Sequence, residues 1–302
     1  MVFCSQLSRD LQEPLAGTGK HASLNLLLSW PSGQWNQTTF QAQDMTAAES
    51  TQINQLIDSG WRVNLIDRKA QAKQSHKVYL MPENLSYEVN RNELLGLLSA
   101  INTGADTSSW QPQKVTNKLI LCCTHGKKDK CCAKFGNASY QALSTAATTW
   151  GEQFDIWQST HLGGCRLAAS AIAFNPLHKY GRIEPDKVED FLASEANNQP
   201  YLPSYRGASD LEPAEQCAEL AARHWLSQQQ HVPTALTIHT LVQQAEHMTF
   251  AVQWSSAHSQ GQLTIDCTSN ELQRFATCKE MDQEETAPIV PIWQAIKVTA
   301  IT

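Results

Sequence analysis

The chain has 302 residues, 41% apolar and 17% charged, with a formal net charge of −6; this length allows two compact domains, or one domain with an elaboration. No apolar run approaches the roughly 18 residues that cross a bilayer, and the opening MVFCSQLSRDLQE lacks a basic stretch leading into a long apolar one. The expectation is therefore a soluble, cytoplasmic protein with no membrane association, and Lys and Arg occur too singly to form a nucleic-acid surface.

In chain order, the first third alternates short strands (24–30, 63–67, 77–81) with a helix at 93–101. A polar stretch at 103–116, containing Pro112, reads as a linker and ends an N-terminal α/β region at 1–112. A buried strand at 119–123 then leads into the polar loop THGKKDK and a helix at 133–147 carrying Phe135, Tyr140 and Leu143. A strand at 154–159, the loop THLGGC, a strand-like AIAFNP, a turn through Tyr180, Gly181 and Arg182, and a helix at 185–195 complete the order of a thioredoxin-like domain at 113–200. The region 201–302 opens with a helix at 213–228, on which Cys217, Leu220, Ala221 and Leu226 keep helical spacing. It continues in strands (235–242, 248–254, 262–267, 292–298), with a turn at 258–261 and a solvated loop at 282–286. No internal repeat is visible in the sequence.

Nine cysteines, an odd number in a chain without an export signal, do not make a disulfide framework. Two doublets, Cys122-Cys123 and Cys131-Cys132, bracket THGKKDK, and His161-x-x-x-Cys165 lies after the next strand; Cys4, Cys217, Cys267 and Cys278 are scattered. In a βαβ unit the ends of two parallel strands are neighbours, so the two loops converge without distorting the backbone. Three sulfurs and one nitrogen suit zinc or a [2Fe-2S] cluster. Structural zinc draws its pairs from tight knuckles, whereas eight residues separate Cys123 from Cys132. Gly163 and Gly164 allow close approach of the backbone to a cluster. Cys122, at the strand end, reads as core. A thiol-disulfide enzyme would need a C-x-x-C pair at a helix start, which the doublets do not supply.

The segments CSQLSRDLQEPLAGTG, CCTHGKKDKCCAKFG, STHLGGCRLA, KYGRI and YRGASDLEPAEQCAE resemble those of the sucrase/ferredoxin-like family. The resemblance runs from residue 4 to about 225 and implies a thioredoxin-like [2Fe-2S] ferredoxin core for electron transfer. It places the first two ligands on Cys123 and Cys132. The second pair in that family resembles two histidines four positions apart; the first falls on His161, and Cys165 stands at the second. The expectation is one [2Fe-2S] cluster held by Cys123, Cys132, His161 and Cys165. Each neutral imidazole in place of a thiolate makes the site less negative, so the potential is expected between plant-type and Rieske-type ferredoxins, with proton uptake at the imidazole on reduction.

Around this set, His125 reads as a hydrogen-bond donor to the site, a replacement ligand, or, by slight preference, an exposed turn histidine. Lys127, Lys128 and Lys130 read as a solvated loop or as a basic rim for an acidic redox partner, whose identity as donor or acceptor stays open. Arg166 either offsets the cluster's charge or pairs with a carboxylate. The segment Pro14 to His21 departs from a phosphate-binding loop at its first glycine and at its magnesium hydroxyl. No pair of carboxylates stands out for glycoside hydrolysis; Asp155, Glu184 and Asp190 look like surface or cap residues. A redox carrier rather than a catalyst is expected, with a zinc-stabilised module and a glycoside hydrolase as the alternatives.

Overall fold

A computed structural model describes residues 2–72 and 75–301. It begins with α1 (Cys4–Asp10), β1 (Asn25–Ser29), α2 (Ala47–Asp58), β2 (Arg62–Asp67), β3 (Ser75–Met81), β4 (Leu85–Asn90), α3 (Arg91–Thr103) and the short β5 (Gln113–Lys114). It continues with β6 (Lys118–Cys123), α4 (Asn137–Ala146), β7 (Phe154–Ser159), β8 (Ala171–Ala173), β9 (His178–Tyr180) and α5 (Val188–Ala196). After α6 (Pro213–Gln228) come β10 (Ala235–Gln243), β11 (His247–Ser255), β12 (Gln260–Gln273), α7 (Cys278–Gln283) and β13 (Ile289–Ile301).

Nine strands form one sheet in the order β5-β4-β3-β1-β2-β7-β6-β8-β9. In the half after residue 117, β6 and β7 are parallel and joined through α4, while β8 adds antiparallel to β6 and β9 antiparallel to β8, both before α5. This is the thioredoxin-like arrangement read from the sequence. The first half repeats it: β1 and β2 are parallel across α2, while β3 adds antiparallel to β1 and β4 antiparallel to β3, both before α3. The sequence carries no visible repeat, yet the topology occurs twice. The halves meet through β2 and β7, which pair antiparallel at Ile66 with Ser159 and Asp67 with Gln158.

Period-two alternation explains how the sheet is covered. Leu26, Leu28, Val63 and Leu65 point to one face and pack with Ile53, Leu56, Leu94 and Leu98 of α2 and α3. Ile120 and Cys122 pack with Leu143 and Phe191 of α4 and α5. Leu27, Ile66, Leu121, Cys123 and Trp157 share a different core, which also takes in Phe3, Cys4 and Cys278 from the two ends of the chain. Thr46 and Glu49 form a capping box at the start of α2, and Gly104 ends α3 in the left-handed region that suits glycine. α6 covers one face of the antiparallel sheet β10-β11-β12-β13, burying Ala218, Ala222 and Leu226 against Phe250, Val252, Leu263 and Ile265. No helix among the described residues is long and apolar enough to cross a membrane.

The expected strands and helices appear within a few residues of their sequence positions. The stretch at 103–116 is not wholly a linker, because Gln113 and Lys114 pair with β4. Tyr180, expected in a turn, ends β9, and Asp282 and Gln283, expected in a loop, end α7. In both cases a short element is held by packing rather than by its own periodicity.

Candidate metal centre

β6 and β7 end side by side, with Cys123 opposite Ser159 in parallel register, so the chains leaving them enter the same space. Cys123 and Cys122 point to opposite faces: Cys122 lies in the core under α4, as its sequence context predicted, with its thiol donating to the Gly136 carbonyl at 3.5 Å. After the loop, the chain turns helical at Cys131 and passes through a π-helical turn (Cys132–Gly136) into α4. Cys132 therefore sits at the first turn of a helix, facing the end of β6. Gly136 makes this close approach possible, since a Cβ there would lie 1.9 Å from the Cys123 carbonyl oxygen.

Ligand atoms of Cys123, Cys132 and His161 lie within 4.8 Å of one another. Cys165 joins them: its sulfur is 4.0 Å from that of Cys132 and 3.6 Å from His161 Nδ1. Cys123, Cys132 and Cys165 are buried and His161 is half-buried. The Cys132 thiol hydrogen-bonded to Cys123 holds Cys123 well below the ordinary thiol range and itself well above it. Cys165 is lowered by the same donor, Cys132. Burial alone would pull His161 down, but its bonds to Cys123 and Cys165 outweigh this and raise it to about 9. The set is a mutually hydrogen-bonded network of three cysteines and a histidine whose remaining protons a metal would displace.

His125 is buried, not exposed as expected. Its Nε2–H donates to the Asn36 carbonyl at 2.6 Å and its Nδ1 accepts the His161 backbone N–H at 3.2 Å, so it orients the ligand loop. Burial lowers its basicity, in keeping with a neutral ring. Arg166 pairs with Glu13 at 2.6 Å, the second of its two expected roles. Asp155, expected at the surface, is buried between Arg68 and the Tyr79 hydroxyl. Lys130 pairs with Asp282, and Lys127 donates to the Gly33 carbonyl.

Three cations escaped the sequence reading. Arg62 donates to the His161 carbonyl at 2.8 Å and Arg206 to the Gly163 carbonyl at 3.1 Å, while Lys179 lies beneath Gly163 and donates to the Lys20 carbonyl. Among the described residues none of the three has a carboxylate within ion-pair distance. Burial, then repulsion from Arg166, pulls Arg206 down to about 9; burial, then repulsion from Arg206 and Arg62, pulls Lys179 down to about 6. An uncompensated buried cation is costly, so this corner is built to face negative charge. The only signals in the sequence were Lys179 and Arg206 inside segments shared with the family.

The donor set fits a thiophilic metal: soft thiolates, an imidazole, and buried cations to balance an anionic centre. Fold and site together define a thioredoxin-like α/β protein with a cysteine-rich site able to hold a metal. The chain belongs to the sucrase/ferredoxin-like family, whose sequence profile matches residues 15–207. No curated protein matches it. Among solved structures, a thioredoxin-like [2Fe-2S] ferredoxin from Aquifex aeolicus aligns with 13% identity over 30% of this chain and 98% of its own, at a TM-score of 0.28. A further structure of a thioredoxin-like [2Fe-2S] ferredoxin from that organism aligns with 14% identity over 32% of this chain and 96% of its own, also at 0.28.

Proposed function

We propose that Cys123, Cys132, His161 and Cys165 hold one [2Fe-2S] cluster and that the protein carries single electrons between partner proteins. The observation that carries this reading is the convergence of three thiols and an imidazole at the ends of two parallel strands, over Arg62, Lys179 and Arg206, which lack carboxylate partners. A bound cluster would supply a one-electron redox couple. The chain's own residues would bind it, orient it through His125, and balance its negative charge. His161, Gly163 and Gly164 form the half-buried edge of the site and the nearest approach for a redox partner. The large cleft of about 810 Å³ near α1 and α6 is lined by one carboxylate among the described residues, Glu13, which already pairs with Arg166 and Arg274. Among the described residues that cleft offers no pair of free carboxylates for sugar hydrolysis.

The test is anaerobic purification with iron and sulfide assays and an absorption spectrum. Two irons and two sulfides per chain are expected, with visible absorption that bleaches on reduction. The spacing of Cys123, Cys132 and His161 within 4.8 Å also suits a single zinc ion. A colourless, sulfide-free protein with zinc in this site would establish that second reading.

A further inference from the structure

A second cysteine cluster lies outside the site described above. Cys4 opens α1, Cys131 ends the ligand loop, and Cys278 opens α7, so the three come from the beginning, middle and end of the chain. Their sulfurs form a nearly equilateral triangle: Cys4 to Cys131 is 3.5 Å, Cys131 to Cys278 is 3.4 Å, and Cys278 to Cys4 is 3.6 Å. All three are at most 1% exposed. Asp129 is buried beside them, with an oxygen within 4.8 Å of each sulfur.

Packing of three apolar thiols would explain the triangle alone, but it does not explain Asp129. Its Oδ1 accepts the Cys131 backbone N–H and its Oδ2 accepts that of Cys278, both at 2.8 Å. Among the described residues no Lys, Arg or His lies within ion-pair distance of it. A buried carboxylate facing three thiols, with no cation of its own, is a ligand set lacking its ion. With Zn–S bonds of about 2.3 Å, a tetrahedron has sulfur–sulfur edges of about 3.8 Å. The observed triangle needs to open by only a few tenths of an ångström to become one face of that tetrahedron. The Asp129 carboxylate then stands at the fourth corner.

We propose that Cys4, Cys131, Cys278 and Asp129 form a second, structural metal site for a thiophilic divalent ion of the zinc class. It is closed, with three thiolates and one oxygen, as structural sites are. It staples both chain ends onto the loop that presents Cys132, the neighbour of Cys131. Lys130, paired with Asp282 of α7, crosses the same seam.

Elemental analysis of the full-length protein, with iron, sulfide and zinc counted on one sample, separates this site from the proposed cluster. One zinc per chain is expected, lost in Cys278→Ser with iron and sulfide retained, and kept in Cys123→Ser with iron lost. X-ray absorption at the zinc edge of the wild-type protein, which does not depend on a variant's folding, should give three sulfurs at about 2.3 Å and one lighter atom. Absence of zinc after reconstitution with zinc sulfate would overturn the proposal. So would zinc that survives Cys278→Ser but leaves with Cys123→Ser, or an edge spectrum showing an imidazole ligand. An iron-free protein that keeps zinc on Cys4, Cys131 and Cys278 would overturn the electron-carrier reading and leave this site standing.

Discussion

Where β1 and β2 end, the first half of the sheet runs into Trp30 and Arg68; where β6 and β7 end, the second half runs into Thr124 and Thr160, next to His125 and His161. The strand order is the same on both sides of the β2–β7 seam. In the first half the space is closed by carbon and amide chemistry: Trp30 Nε1 donates to Asp44, Trp35 Nε1 to the Trp30 carbonyl, and Arg91 stacks over Trp30. In the second half it is occupied by thiols and an imidazole. The comparison teaches that this topology offers a convergent pocket wherever two parallel strands end, and that residue chemistry alone decides whether it becomes a plug or a metal centre.

The largest expected effect tests that division directly. Cys132→Ala should abolish iron binding while leaving the far-ultraviolet circular dichroism unchanged. Trp30→Ala, in the plug of the first half, should cost about 3–5 kcal/mol in denaturant unfolding and leave the iron content of the folded fraction intact. Iron loss in both variants would mean that the halves are not separable. Next, Gly136→Val places a side chain against the Cys123 carbonyl and should cost about 3 kcal/mol or more. Gly33, in the loop after β1, has no atom within 4 Å of a Cβ built on it, so Gly33→Ala should change stability by no more than about 0.5 kcal/mol.

A further variant concerns the imidazole. If the site holds the proposed cluster with His161 as a ligand, an added electron would make that imidazole more basic and favour proton uptake, so the wild-type potential should fall as pH rises, by up to about 59 mV per pH unit. His161→Cys should keep the iron, lower the potential and flatten that slope in film voltammetry. An unchanged slope would remove His161 from the proton coupling. In the metal-free protein His161, raised to about 9, and Cys132, raised well above the ordinary thiol range, are protonated at neutral pH. Loading the metal at pH 7 should therefore release the protons held on His161 and Cys132, readable by calorimetry in buffers of different ionisation enthalpy. The smallest effect expected is that of Lys179→Met, which removes a buried amine that an anionic centre would hold protonated, and should lower the potential by about a few tens of millivolts.

The sequence made the ligand loops legible because cysteine doublets and a His-x-x-x-Cys spacing are rare outside metal sites. Strands such as β6 were legible because they are uniformly apolar. The duplication was not, since the two halves share backbone path and almost no side-chain chemistry. Arg62, Lys179 and Arg206 escaped because a single basic residue on a short strand or after it looks like a solvated edge, and only the tertiary fold reveals that Lys179 and Arg206 are buried, Arg62 half-buried, and none within reach of a carboxylate among the described residues. Cys4 and Cys278 looked scattered for a similar reason. They are 274 residues apart in sequence and 3.6 Å apart in space.

The seam between the halves bears on how fast an electron would move through the proposed cluster. Asn64 and Arg62 of β2 both donate to the His161 carbonyl, and Thr160 Oγ1 bridges the Leu65 N–H and the Thr39 carbonyl. The first half of the sheet thus anchors the loop from which His161 projects. A ligand so held on a neighbouring rigid sheet would shift little when charge arrives, and the nuclear reorganisation that slows electron transfer would be kept small.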